Sequence, residues 1–520
     1  MRLNPCHADM NKGYIHKIQI VKSMVSMVSH VLRRLDKDRV ELLLVLLVLL
    51  LGFSFNLWIF SKDWLITGID GPYYLIQVRG LLTNGELIYG DPPLTFLLLT
   101  PFCLLVGDLM TGVEVGVSFL CALSTIPAFY LMKRVGKGSL SGFIAMLLFI
   151  FSAPHIRMMT DFIKNAIGIG FLLAFLYYLH DLAFSGLRRK SLILAAFFLF
   201  LTGLTHILDF GVAILFLALY ALWTVIFGIN RLSFLKSAGV ITTVLCIFVL
   251  IASTFFSPLF TDFNKGLSFL SDLASLRRAQ PPSPPPPSLG PSPRPGLGPL
   301  IPAAPFSLPM IGGWGAILLI LSSGAVLSFY AWLKKDRKAA LLLAATTSMG
   351  SIICFPLIPP QWLGRFLLML VVPTAIIVSY GLSRANMQIH GADGKSRSLA
   401  SVASIVLIAI CLAFFIIQAV NTATTVRPTI SYEGYLDLVD MKSRIPPNSI
   451  VLTEPAVSYW VQYVVDVGRT FPGVLRKYSN ALAIFFRDRT PPWLSPASFK
   501  AVYVGRIFVL VELLPPSPRR

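Results

Sequence analysis

The chain has 520 residues, of which 55% are apolar and only 13% charged, with a formal net charge of +20. A soluble domain is about a quarter charged, so this composition excludes one and reads as a polytopic membrane protein. The basic excess does not point to nucleic acid, because Lys and Arg stand in short clusters between apolar runs, as the positive-inside rule expects. The six cysteines (Cys6, Cys103, Cys121, Cys246, Cys354 and Cys411) form no CxxC pair and lie mostly in apolar runs. They read as small core residues, neither a disulfide framework nor a zinc site.

In chain order, residues 1–39 form a basic segment carrying Arg33, Arg34, Lys37 and Arg39 just before the first apolar run, Glu41 to Phe60. That run is long enough to cross a bilayer. No small-residue cleavage pattern follows it, so it reads as an uncleaved anchor with a cytoplasmic amino terminus.

Next comes a loop, 61–111, expected on the extracytoplasmic face. It contains Gly68-Ile69-Asp70-Gly71-Pro72-Tyr73-Tyr74 and Gly90-Asp91-Pro92-Pro93-Leu94. An acid between glycine and proline, followed by paired tyrosines, offers a carboxylate beside aromatic faces. The plainer alternative is that Asp70 caps a short interfacial helix. Pro93 to Val106, with Pro101 inside it, reads as a re-entrant or interfacial helix, since a full span there would invert every later charge cluster.

Further spans are expected at 112–132, 138–153, 161–182, 190–208, 209–229, 236–257, 311–333, 339–358, 362–382 and 398–420. With the first they number about eleven. This count places the clusters Lys133-Arg134 with Lys137, Arg188 to Lys190, Arg231 with Lys236, Lys334 to Lys338 and Arg384 to Arg397 all on the cytoplasmic side.

The second notable loop, Ser152 to Asn165, carries Arg157, Asp161 and Lys164 at the start of an apolar helix. Asp161 and Lys164 are three apart and are expected on one helical face. Ionisable groups at a membrane boundary often mark a site, although Thr160 or Asp161 could instead be an N-cap with Lys164 paired to it. A third connection, 258–310, has a Pro/Ser-rich part at 280–305 that reads as an extended, disordered linker. His206 and Asp209, three apart at a span end, read as a satisfied polar pair. Arg365 opens a late span, where snorkelling to the interface is the plainer reading.

Residues 427–520 leave the membrane as a small α/β appendage. Tyr432 to Arg444 has a helical pattern, Ser449 to Thr453 is strand-like, and Tyr459 to Val467 is a second helix. The tail after Thr490 is rich in Pro and Arg and reads as loosely ordered.

A cytoplasmic amino terminus, a first outer loop with an acid, a Pro-Pro-Leu helix start and a second outer loop with an acid together resemble the GT-C glycosyltransferases. That superfamily includes the oligosaccharyltransferase catalytic subunits, the protein O-mannosyltransferases and the aminoarabinose transferases. The resemblance spans about residues 40–470 and implies a GT-C-like transmembrane domain over 40–426. It matches Asp70 to the first-loop catalytic acid and Asp161 to the second-loop acid. Arg365 resembles the arginine that meets the lipid phosphate. Ser449 to Trp460 is similar to the strand and turn of the oligosaccharyltransferase carboxy-terminal domain.

Three departures stand beside the match. Glu454-Pro455-Ala456-Val457-Ser458 replaces the Trp-Trp-Asp-Tyr-Gly acceptor motif. Ile163 stands where metal-using members carry a second acid. Asp91, not a basic residue, precedes Pro-Pro-Leu.

What the resemblance implies is transfer of a sugar from a polyprenyl-phosphate donor, such as a dolichyl phosphate, to a protein, glycan or lipid acceptor at the extracytoplasmic face. The expected partners are membrane lipid, that donor and that acceptor. An acceptor hydroxyl needs a base within hydrogen-bond reach, and the departing phosphate needs a cation. Asp70 is the candidate base. Lys164 and Arg365 are candidates for the phosphate, with Tyr73 and Tyr74 beside them. Asp161 either orients Lys164 or, with Asp70 and Asp91, holds a divalent cation; three carboxylates suit Mg²⁺ or Mn²⁺. Two other classes stay open: a polytopic transporter or lipid flippase, and a non-catalytic scaffold of the same fold.

Overall fold

Apolar runs in a bilayer can satisfy their backbone polar groups only within helices, and helices make up most of the chain. A computed structural model describes residues 36–255, 268–269, 271–272, 313–356, 358–390, 395–446, 449–466, 468–470, 481–488 and 499–514. The expected linker 280–305 and most of the basic segment 1–39 lie outside them. Residues 52–520 form one body, and the described part of 1–51 is the beginning of the first helix.

The helices before the carboxy-terminal region are α1 (Lys37–Phe60), α2 (Gly71–Asn84), α3 (Leu94–Val106), α4 (Leu109–Leu123), α5 (Ile126–Val135), α6 (Ser139–Ile150), α7 (Ala153–Asp161), α8 (Ile163–Ser185), α9 (Arg189–Thr205) and α10 (Ile207–Ile226). Then follow α11 (Arg231–Phe255), α12 (Gly313–Leu333), α13 (Arg337–Ile353), α14 (Pro360–Leu368), α15 (Val371–His390) and α16 (Lys395–Thr425). The centre of the bundle is α8, which packs against α9, α10 and α5 and is buried along most of its length.

Among the described residues, seven helical segments are long and apolar enough to cross a bilayer, or eight if the bent pair α6–α7 counts as one span. That is fewer than the eleven expected, and the differences have local causes. Helices α9 and α13 have 17 residues each, about 25 Å at 1.5 Å per residue, which falls short of a ~30 Å hydrocarbon core. Helices α6 and α7 meet at a 51° bend, where Pro154 in the first turn of α7 cannot continue the preceding helix. Helix α11 covers the expected span 236–257 as far as Phe255 and stands outside the seven. Helix α3, the expected re-entrant or interfacial element, has 13 residues and is too short to span.

After α16 the chain forms a small α/β unit of α17 (Tyr432–Lys442), β1 (Ile450–Thr453), α18 (Ser458–Val465), β2 (Gly468–Thr470), β3 (Leu482–Phe486), β4 (Phe499–Val504) and β5 (Phe508–Leu513). The sheet order is β2-β1-β3-β5-β4, with β1 parallel to β2 and β3, and β5 antiparallel to β3 and β4. Its core is Leu452, Ala483, Phe485, Val509, Val511 and Leu513. The expectation of a loose tail after Thr490 is therefore corrected over 499–513, while 491–498 and 515–520 lie outside the described residues. Phe499 to Val504 and Phe508 to Leu513 are rich in the β-branched and aromatic residues that strands favour, and they complete the sheet.

This unit is tied to the first loop. Gly68 N donates to Arg427 O at 3.2 Å, forming a parallel bridge with Pro428. Arg79 on α2 reaches Tyr463 O at 2.8 Å and Asp466 at 3.0 Å.

Candidate active site

The loop entering α2 lies directly on the end of α7. Gly68 has φ +89°, and a Cβ there would sit 1.9 Å from Thr160 O, so only glycine fits both the backbone and the space. Ile69 N then donates to Asp161 Oδ1 at 3.2 Å. These two contacts bring the acids of the first and second loops together across about ninety residues of chain.

Asp70 occupies the N-cap position of α2 but makes no side-chain capping hydrogen bond. The helix start is set instead by Pro72 in the first turn and by Asp70 O, which accepts from Tyr74 N at 3.3 Å. The capping alternative therefore fails for the side chain, and the carboxylate remains available for chemistry. Burial, reinforced by the Asp161 carboxylate, raises its pKa to about 6, while Arg365 and Lys164 pull it down and Asp91 pushes it up. Four other charges thus act on Asp70 at once: Asp91, Asp161, Lys164 and Arg365.

Their pairing differs from the sequence expectation. The helix breaks at Phe162, so Asp161 and Lys164 do not share a helical face, and neither Thr160 nor Asp161 is an N-cap. Asp161 pairs backwards, its Oδ2 3.3 Å from Arg157 Nε. Lys164 donates from Nζ to Asp91 Oδ1 at 2.8 Å, and both side chains are largely buried. The Asp91 that replaces a basic residue before Pro-Pro-Leu thus has a lysine brought to it from the second loop.

Tyr74 is buried, and its hydroxyl accepts from Lys164 N at 3.1 Å. It joins the two loops. Arg365 is exposed in the last turn of α14, with its guanidinium 5.3 Å from the Phe162 ring centroid. Helix α14 is fastened by Trp362 Nε1, which donates to Asp272 Oδ2 at 2.9 Å.

The carboxylates do not fit the metal set expected of Asp70, Asp91 and Asp161. Among the described residues no group of three His, Cys, Asp or Glu side chains is disposed to hold an ion, and two of the three acids already have cationic partners. His206 and Asp209 also depart from expectation. His206 Nδ1 lies 3.7 Å from Asp209 Oδ2, but neither carboxylate oxygen has a hydrogen-bond partner.

Residues that sequence reasoning did not single out complete the site. Gln77 is fully buried; it donates to Tyr89 O and Tyr73 Oη, each at 3.1 Å, and accepts from Tyr89 N at 2.9 Å. The Tyr73 and Tyr89 rings stack at 5.6 Å and 26°. Tyr459, at the start of α18, packs 5.2 Å from Tyr73, and the Tyr89 hydroxyl bonds Gln462. The available signal was the recurrence of tyrosine at 73, 89 and 459 around the two acids, but sequence spacing does not show that they meet.

No protein-family model matches the sequence, and no curated protein does. Solved structures do match. One is the oligosaccharyltransferase of Archaeoglobus fulgidus in the apo form, 15% identical, with TM-score 0.54 over 82% of this chain and 64% of the archaeal one. Another is apo ArnT from Cupriavidus metallidurans, 12% identical, with TM-score 0.51 over 93% of this chain and 100% of that one. The chain shares the fold of these two structures. Because this chain spans just under two thirds of the archaeal enzyme, that enzyme's own activity is not carried over with the fold.

Proposed function

We propose that this GT-C chain is a membrane glycosyltransferase that moves a sugar from a polyprenyl-phosphate-linked donor to an acceptor hydroxyl at the extracytoplasmic face. The observation that carries the reading is the convergence on Asp70 of Asp161, Asp91, Lys164 and Arg365 from three separate stretches of chain. A transporter would concentrate such charges near mid-membrane, whereas Asp70, Asp161, Lys164 and Arg365 stand at the ends of α2, α7, α8 and α14 and Asp91 stands just before α3.

Asp70 accepts the proton of the acceptor hydroxyl as its oxygen bonds the anomeric carbon. The bond from that carbon to the phosphate oxygen breaks in the same step, and the phosphate leaves with the electron pair. A carboxyl with pKa about 6 is mostly ionised at neutral pH, yet basic enough to take a proton. Arg365, exposed and at a helix end, meets the leaving phosphate and can grip it with two parallel hydrogen bonds. Lys164 adds a fixed positive charge whose position is set by Asp91 and the Tyr74 hydroxyl. Asp161 holds the Gly68-Ile69 turn through its bond to Ile69 N and keeps Asp70 basic. Asp91 and Asp161 are each paired with a cation, Lys164 and Arg157.

The test is to incubate the purified chain with radiolabelled polyprenyl-phosphate mannose or glucose. Label should pass from the lipid to a water-soluble product, and Asp70→Asn should abolish the release. Label that stays on lipid for both sugars would refute the proposal.

A further inference from the structure

The reaction proposed above leaves the acceptor class open, and the aromatic side chains beside Asp70 narrow it. Tyr73, Tyr89 and Tyr459 form one wall, with ring centroids 5.6, 5.2 and 6.3 Å apart. The rings come from the first loop and the carboxy-terminal unit. The wall has a packed back, because Tyr73 is itself buried, as are Tyr74 and Phe96 beside it. It has a wetter front, because Tyr89 and Tyr459 are only half-buried.

The wall is also built to hold its shape. Gln77 pins Tyr89 through both its N–H and its C=O and receives no support from solvent, since it is wholly buried. Its amide also reaches the Tyr73 hydroxyl. From the other side, Gln462 on α18 anchors the Tyr89 hydroxyl. Rigid aromatic faces of this kind suit a ligand that is apolar on one flat side and hydroxylated at its rim. The face of each ring carries the negative part of the aromatic quadrupole and attracts the weakly positive C–H hydrogens of such a ligand. A pyranose has that anatomy, whereas an extended peptide lacks the flat C–H face.

We propose that Tyr89 and Tyr459, with the buried Tyr73 packed behind them, form the acceptor subsite and that the acceptor is a glycan, stacked by its pyranose ring on this wall with a hydroxyl turned toward Asp70. This rests on the transferase reading and assigns its acceptor. Lys164 Nζ, 5.8 Å from the Tyr73 ring centroid, marks the end of the wall nearest the donor phosphate. The competing explanation is that the three rings only fasten the carboxy-terminal unit to the first loop.

The probes are methyl α-mannopyranoside, methyl β-glucopyranoside and methyl β-galactopyranoside, with an Asn-x-Thr peptide as the competitor of another class. Saturation-transfer NMR on the wild-type protein should show transfer to the ring protons of at least one glycoside, without displacement by the peptide. In the transfer assay, Tyr459→Leu keeps an apolar side chain but removes the ring. It should raise the KM for that glycoside about tenfold with unchanged melting temperature, whereas Tyr459→Phe should stay within about threefold of wild type. Tyr89→Leu should repeat the pattern from the other element if Tyr459→Leu fails to fold. Absence of saturation transfer to all three glycosides, displacement by the peptide, or wild-type KM in both Leu variants overturns the inference. If the wild type cleaves donor while no glycoside binds, only the acceptor assignment falls. If it cleaves no donor, the transferase reading falls first.

Discussion

Replacing Asp70 by Asn separates a catalytic acid from a structural one, because the two roles predict opposite changes in stability. In the folded chain the Asp70 carboxyl is raised from about 4 to about 6, first by burial and then by Asp161. A raised carboxyl favours its protonated form in the folded state. Its stabilising contribution is therefore complete below the unfolded value near 4 and is lost as the pH climbs through about 6. Above that pH the wild type carries a penalty of at most roughly 3 kcal/mol for ionised Asp70. Partial exposure of the side chain reduces this to about 1–2 kcal/mol.

Asn removes the charge and spares the shape, and no capping bond is lost because Asp70 makes none. The expected result is a chain more stable than wild type by about 1–2 kcal/mol at pH 7.5 and equal to it at pH 4. Its turnover should fall about 10²–10⁴-fold, the usual contribution of a general base. Wild-type turnover should rise with pH to a plateau, with its midpoint near 6. The assays are denaturant unfolding of the detergent-solubilised protein at the two pH values and release of label from the lipid-linked donor. Unchanged turnover, or a variant less stable than wild type at pH 7.5, would refute the reasoning.

Arg365→Lys should keep part of the turnover, and Arg365→Ala should weaken donor binding about tenfold or more with no change in membrane insertion, since a point charge replaces the bidentate grip only in part; equal donor binding by both variants and wild type would show a side chain that merely snorkels. Asp91→Ala leaves the buried Lys164 ammonium without its 2.8 Å partner and should cost about 3–5 kcal/mol in denaturant unfolding, whereas a cost near zero would mean the pair is solvated. Gly68→Ala forces a Cβ toward Thr160 O and should lower turnover together with stability, measured as activity and melting temperature in one preparation. Turnover in EDTA should match turnover in Mg²⁺ or Mn²⁺, because Asp91 and Asp161 are paired with Lys164 and Arg157; loss in EDTA with recovery on adding a cation would contradict that pairing.

Much of the membrane architecture was legible because apolar length and basic clusters are one-dimensional signals. The first span and the helix–strand–helix run from Tyr432 to Val465 lie where their patterns place them, whereas the Gly68 to Leu94 segment, read as a loop, contains helix α2. Span count was less legible, since bilayer crossing depends on length and bending as well as on hydropathy. Pro154 bends one segment, and α9 and α13 stop at 17 residues. Strands β4 and β5 were hidden by the proline- and arginine-rich residues around them.

At the site, Asp70 and Asp161 could be read from their loops, but their partners could not. Asp91 and Lys164 are 73 residues apart, and their pairing follows from Gly68 lying on Thr160, a tertiary contact with no periodicity. Phe162 ends α7 and puts Lys164 on a new helix, so the three-residue spacing from Asp161 misled. Tyr89 and Gln462 meet across 373 residues, a distance at which spacing carries no information.

The central claim, that this chain breaks the bond between sugar and lipid phosphate, is tested most directly by the fate of one radiolabelled donor. Proteoliposomes containing the purified chain would be incubated with polyprenyl-phosphate [¹⁴C]mannose, and the lipid and aqueous fractions separated by chromatography. The account predicts label leaving the lipid fraction as free or transferred sugar in wild type and staying there with Asp70→Asn. Donor recovered intact from wild-type vesicles, whether or not it has crossed to the other leaflet, would contradict a transferase.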